Sequence, residues 1–129
     1  MKTANINYIH FLYYPLISMT DAELSEFEIN NKEHRSELFR LMKETSNGFG
    51  PKTMENISNC LEHIIYTQSY EKHWRDLVPH ETPLDDVKNK DEFINQLFLA
   101  LFQRTPSPTD IDNICISRLV PLQGLNIKD

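Results

Sequence analysis

The stretch from Asp91 to Pro106 constrains the fold more than any other, because it is the longest strongly apolar segment with helical spacing. Asn89, three residues before Glu92, predicts the start of this helix, and Thr105-Pro106 predicts its end. An apolar face this wide cannot remain in water on a single helix, so other segments must pack around it. The residues that form the face are Phe93, Ile94, Leu97, Phe98, Ala100, Leu101 and Phe102.

The rest of the chain also favours helices. With 129 residues it is long enough for one domain with its own core. Only 3 glycines are present, and most of the 7 prolines lie between helical patterns, which disfavours a turn-rich sandwich or barrel. The sequence therefore predicts an all-α fold, an irregular bundle of about five helices that forms a single domain over residues 1–129, with 125–129 frayed.

Several helix boundaries can be predicted from capping residues. Thr20 and Glu23 form a capping box. Asn30-Asn31 favours an interruption of the helix that follows, with a continuous helix as the alternative. The next helix, from Lys32, is expected to end in a left-handed cap at Asn47-Gly48. A long central helix is expected over about 52–77, and falling helix propensity at 67–70 favours a kink or break. Residues 79–90 are predicted to form a surface loop, and a last short helix begins near Thr109 and includes Ile114 and Cys115.

The first 17 residues are predicted to form a packing segment whose type stays open. Their dense Tyr, Ile and Phe content favours a strand, but we find no second convincing strand to pair with it. Ile6, Ile9, His10 and Tyr13 also fit one helical face. The pattern favours a short helix or an extended segment closed by Pro15.

No catalytic, metal or cofactor signature is found. Cys60 and His63 would share a helix face, but a zinc site needs three or four ligands and no second pair has matching spacing. The two cysteines lie in apolar segments and indicate a reducing, cytoplasmic setting. The apolar run at 6–17 is shorter than the roughly 20 residues that span a bilayer and lacks the flanks of a signal peptide. We expect no enzyme activity, no cofactor and no membrane association.

Acidic residues are the most suggestive polar feature. The formal net charge of −6 disfavours direct nucleic-acid binding and favours a basic protein partner. Residues 18–31 contain four acids and no basic residue, although a solvated helix face would look the same. Tyr70 and Trp74 are candidate interface anchors, with a core role favoured for Trp74. The predicted partner-binding acids are Asp21, Glu23, Glu26, Glu28, Glu33, Glu37, Asp85 and Asp86.

A second signal lies in the order of residue types within and after the apolar stretch. An aromatic residue, two apolar pairs and an Arg-x-Pro follow one another as Phe93, Leu97-Phe98, Leu101-Phe102, Arg104 and Pro106. Over about residues 57–119 this order resembles a helical bacterial domain, found as repeats in calcium-binding exoproteins and beside glycosyltransferases, and similar to the phycobilisome linker domain. The family usually has Gly at the position of Gln103. The resemblance implies an all-α fold and a non-catalytic role in protein association, and it implies no active-site residue.

Together these observations predict a small acidic protein that binds another protein. The specific hypothesis is an immunity protein, an inhibitor that occludes the active site of a basic toxin such as a nuclease, with charge reversal at Glu23 and Glu26 weakening the complex. Two alternatives stay open. One is a structural linker or assembly module, as the resemblance implies, and the other is a small enzyme that uses Cys60 or Cys115.

Overall fold

A computed structural model describes residues 2–78, 87–106 and 114–117. Within these residues the chain forms a helical bundle, as predicted, with seven helices rather than about five and one pair of short strands. The helices pack around a single apolar core. In chain order the elements are β1 Lys2–Asn5, α1 Asn7–Leu12, α2 Tyr14–Ile17, α3 Asp21–Glu26, α4 Lys32–Ser46, α5 Pro51–Thr67, α6 Tyr70–Leu77, α7 Lys90–Phe102 and β2 Ile114–Ser117.

Helix α7 lies at the centre of the core, as its sequence predicts. It packs against α4 on one side and α5 on the other. The ring of Phe93 meets Phe39 and Trp74 edge-on, at 5.2 and 5.9 Å between ring centroids. Such edge-to-face pairs contribute beyond the apolar area they bury. The α7 side chains with at most 1% exposure are Phe93, Ile94, Leu97, Phe98 and Leu101.

The two predicted N-terminal caps, at Thr20 and Asn89, are confirmed, and Asn31, predicted only as part of an interruption, caps α4 as well. The backbone N–H of Glu23 donates to Thr20 Oγ1, and the N–H of Thr20 donates to Glu23 Oε1, both at 3.2 Å. Asn31 accepts from the first turn of α4, and Asn89 Oδ1 accepts from the N–H of Glu92 at 3.0 Å. Each cap satisfies backbone donors that the helix itself leaves unpaired, so the chain starts these helices at defined residues.

The predicted C-terminal caps need correction. Helix α4 ends at Ser46, and the residue that follows it, Asn47, has φ −63°, so Asn47-Gly48 is not the left-handed cap that its sequence suggested. Left-handed residues instead end α5 at Gln68 and α7 at Gln103, each with φ 54°. The break expected at 67–70 is confirmed, because Gln68 and Ser69 separate α5 from α6. Helix α7 ends at Phe102, before Thr105-Pro106, since Gln103 has already left the helical conformation.

The two ends of the chain also differ from prediction. Pro15 lies in the first turn of α2 rather than closing a segment, because proline's fixed φ suits a helix start. Ile114 and Cys115, expected in a last helix, lie in β2, which pairs in parallel with β1 in the register Lys2 with Ile114. Parallel strands need a long connection, and here the helices from α1 to α7 lie between them. The strand partner therefore comes from the opposite end of the chain.

Tyr13 provides a test of the N-terminal packing. It is fully buried, and its hydroxyl has no hydrogen-bond partner among the described residues. Burial raises its pKa above the ordinary 10.0, because the phenolate would lose its hydration. The folded state then retains the proton that the unfolded chain releases, so this contribution to stability is complete below about pH 10 and is lost as pH rises further.

We expect Tyr13→Phe to leave the free energy of unfolding at neutral pH unchanged or raise it by about 1 kcal/mol, since the lost hydroxyl is unpaired. The variant should also lose less stability than the wild type above about pH 10. Urea denaturation at neutral and alkaline pH measures both effects, with Tyr14→Phe, at an exposed ring, as the control. A loss of more than about 1 kcal/mol at neutral pH would show that the hydroxyl is paired.

Candidate protein-binding site

A short loop, residues 27–31, connects helices α3 and α4. Ile29 anchors this loop in the core with 1% exposure. The backbone N–H of Glu28 donates to His34 Nδ1 at 3.0 Å. The His34 ring also contacts Phe27, at 5.9 Å between centroids. The loop is thus tied to the first turn of α4, which fixes the side chains of α3 relative to those of α4.

A hollow of about 310 Å³ is lined by residues of both helices, and we call it the α3–α4 hollow. Four of the predicted partner-binding acids converge on it, two from each helix. Among the described residues no lysine or arginine lines it. Its lining residues are Met19, Glu23, Glu26, Phe27, Glu33, His34, Glu37, Leu38 and Leu41.

The four carboxylates of the hollow differ in what they contact. Glu23 is engaged in the capping box of α3. Glu37 accepts two hydrogen bonds from the Arg40 guanidinium, which lower the pKa of the Glu37 carboxyl. Glu26 and Glu33 are exposed and make no side-chain hydrogen bond or ion pair with the described part of the chain. These two carboxylates are therefore the ones that an incoming cation can pair with without breaking an existing contact.

The other predicted acids lie elsewhere. Asp21 and Glu28 are exposed but do not line the α3–α4 hollow. Asp85 and Asp86, the expected second acidic group, fall outside the described residues. The structure thus brings Glu23, Glu26, Glu33 and Glu37 together, while Asp21 and Glu28 extend the negative charge around them.

Arg35 lies between Glu33 and Glu37 in sequence, but its side chain does not join the acidic residues of the hollow. Its guanidinium donates to the carbonyl of Ile29 at 2.9 Å and to Gln96 Oε1 at 3.2 Å, and it stacks over Phe93 at 5.1 Å. The buried Arg35 therefore points to the core and α7, away from the hollow. Helical spacing is the signal that reveals this, because Glu33 and Glu37 share a face that Arg35 does not.

The basic side chains of α4 line a second groove, of about 700 Å³, between α4 and α7. Lys32, Arg35, Arg40 and Lys43 face Glu44 and Glu92 there. Arg40 is paired with Glu37 and Glu44, and Lys43 Nζ donates to the carbonyl of Leu101 at 2.9 Å. Since its charges are mixed and largely engaged, this groove favours neither sign of ligand.

The residues that sequence reasoning missed at the α3–α4 hollow are Met19 and His34.

The predicted aromatic anchors are engaged inside the protein. Tyr70 is buried, and its hydroxyl donates to Asp91 Oδ1. Desolvation raises the Tyr70 pKa, and the hydrogen bond to the Asp91 carboxylate raises it further. Trp74 packs on Phe93 and lies under the Lys90 ammonium, 5.3 Å from the ring centroid. The core role favoured for Trp74 is confirmed.

The alternative sites predicted from cysteines gain no support. The Cys60 thiol is fully buried in the core, where a nucleophile could not reach a substrate, and the side chain of Cys115 is not among those described. In the part of the chain that the structure describes, no group of three metal-ligating side chains comes together.

The residues that suggested the family resemblance serve the fold. Phe93, Leu97, Phe98 and Leu101 are buried, and Arg104 bonds to the nearly buried carboxylate of Glu62. The resemblance itself stays a prediction. The chain matches no family model, no curated protein and no solved structure in the comparisons made. Across the described residues, no helix has both the length and the apolar character to cross a bilayer.

Proposed function

We propose that this protein is a binding module that neutralises a basic protein, most specifically an immunity protein that occludes the active site of a cationic toxin such as a nuclease. The observation that supports the proposal is the convergence of Glu23, Glu26, Glu33 and Glu37 around the α3–α4 hollow, with no described cation lining it. A nuclease that binds a polyanion has a positively charged cleft, so this acidic surface is complementary to it.

Occlusion needs no chemistry from the inhibitor. The carboxylates accelerate encounter with a cationic cleft by electrostatic steering, and apolar contacts formed afterwards slow dissociation. Helices α3 and α4 carry the acids on a framework fixed by the capping box, the Asn31 cap and the buried Ile29. Because the surface is preorganised, little conformational entropy is lost when a partner binds.

Charge reversal tests the proposal. Glu26 and Glu33 are better positions for this test than Glu23 and Glu26. Reversing the charge of Glu23 would also break the capping box and weaken α3. Glu26→Lys and Glu33→Lys should each weaken binding to the partner about tenfold at low salt, or about 1.4 kcal/mol. The difference should shrink as added salt shortens the Debye length below about 10 Å.

The measurement starts with the wild-type protein as bait in native extract, followed by titration calorimetry of the captured protein at two salt concentrations. We expect that protein to be basic, and its enzymatic activity to be inhibited on binding. Glu55→Lys is the matched control. Glu55 is exposed on α5, outside the hollow, and its substitution changes the net charge by the same amount. If Glu26→Lys, Glu33→Lys and Glu55→Lys bind equally well at low salt, the acidic surface is not the interface.

A further inference from the structure

The floor of the α3–α4 hollow is apolar, although its rim is acidic. Leu38 is almost fully buried beneath it, while Met19, Phe27 and Leu41 are partly exposed. These side chains extend the main core to the surface, because Met19 and Phe27 also pack against core residues. Apolar surface left in water costs about 25 cal/mol per Å², so covering the floor favours association. A ligand that only pairs with carboxylates would leave this gain unused.

The unpaired carboxylates lie on two different helices. Glu26 is the last residue of α3, and Glu33 lies in the first turn of α4. Between them in sequence is the loop that contains Phe27, whose side chain lines the floor. A ligand that presents two cations with an apolar group between them can pair with both carboxylates and cover the floor at the same time. A polypeptide segment with a large apolar residue flanked by Lys or Arg meets all three requirements.

We propose that the α3–α4 hollow receives one large apolar side chain of the partner, flanked by two basic residues that pair with Glu26 and Glu33. The proposal rests on the proposed function and specifies the recognition element of the partner. The volume of about 310 Å³ is at the small end of ligand pockets, which suits one or two side chains better than a cofactor. The apolar residue supplies affinity as a buried anchor, and the cations supply orientation and steering.

Synthetic peptides test this proposal with the full-length protein. The first peptide, of about 15 residues, carries one leucine flanked on both sides by lysines at helical spacing. The second replaces that leucine by serine and keeps every charge. The third probe is phenethylammonium, a small apolar cation. Affinities are measured at about 0.15 M salt, where exposed charges are partly screened, and the methyl resonance of Met19 reports contact with the floor.

We expect the leucine peptide to bind at least about tenfold tighter than the serine peptide, and to shift the Met19 methyl resonance. Met19→Glu gives the sharper test, because it adds an acid while removing apolar floor. Binding of the leucine peptide should then weaken by about fivefold, whereas a purely electrostatic surface would bind it more tightly. Met19→Leu keeps the floor apolar and should bind like the wild type, which separates the effect of the added acid from that of replacing methionine.

Equal affinity for the two peptides, or tighter binding by Met19→Glu, would overturn the apolar anchor. If phenethylammonium binds more tightly than the leucine peptide, the occupant is a small cation and the polypeptide proposal is wrong. The proposed function is tested separately. If the captured partner binds Glu26→Lys and Glu33→Lys as tightly as the wild type, the acidic interface is disproved, independently of the peptide affinities.

Discussion

Leu97→Ala and Leu101→Ala are each expected to lower the free energy of unfolding by about 2–5 kcal/mol. Both side chains are buried on α7, with 0% and 1% exposure, between α4 and α5. Truncation removes apolar contacts and leaves a cavity that the helices around it fill only in part. Urea denaturation with the slope held in common between variants measures the loss.

Leu99→Ala is the matched control on the same helix. Leu99 is 53% exposed and faces the groove between α4 and α7, so its truncation should cost less than about half a kcal/mol. Should both core variants also cost less than about half a kcal/mol, the apolar face of α7 would be solvent-accessible. The binding surface would then have to be sought on α7 instead of the α3–α4 hollow.

The sequence was informative where one local interaction determines the structure. Three such features depend on side chains that bond within three residues, so the pattern predicts them directly. They are the Thr20 and Glu23 capping box, the break at Asn30-Asn31 and the Asn89 cap. The buried face of α7 was equally predictable, because the helical periodicity of its apolar residues shows which side must be buried. The helical class of the fold follows from these features together.

Sequence reasoning failed where long-range contacts override local preference. Glutamine is an unusual residue in the left-handed conformation, yet Gln68 and Gln103 both adopt it. Glycine adopts this conformation without a side-chain penalty, and neither position has one. The strand at Ile114 could not be predicted either, because its partner, β1, lies at the opposite end of the chain.

The candidate site was predictable in its charge but not in its shape. Glu23, Glu26, Glu33 and Glu37 were identified from composition along the chain, whereas their convergence on one hollow depends on how the loop places α3 relative to α4. Helix α4 has a different charge on each flank. Glu33 and Glu37 face the hollow, and Arg35 is buried towards α7. A single helix thus separates the acidic hollow from the groove of mixed charge, and a count of charges along the sequence does not show this separation.

Arg104→Ala should destabilise the protein by about 1–3 kcal/mol, the second largest effect expected here. Its guanidinium donates to Glu62 Oε2 at 3.2 Å and to Ser58 Oγ at 3.1 Å, and lies 5.0 Å from the centre of the Phe98 ring. These contacts join the end of α7 to α5. The Glu62 side chain is 8% exposed, so losing a charged partner there costs more than at the surface. Because the Arg104 side chain is 48% exposed, water screens part of the effect, which keeps the estimate below that for a fully buried pair.

A double-mutant cycle with Glu62→Gln separates pairing from packing. We expect Arg104→Ala to cost less in the Glu62→Gln background, with a coupling energy of about 0.5–3 kcal/mol. Arg104→Lys should not restore full stability, because an ammonium cannot bond to Glu62 and Ser58 while stacking flat on Phe98. Additive effects of the two variants would show that the ion pair contributes nothing. A measurable coupling energy would show that Arg104 helps to dock α7 on α5. The arginine would then be explained by the fold alone, without a binding partner.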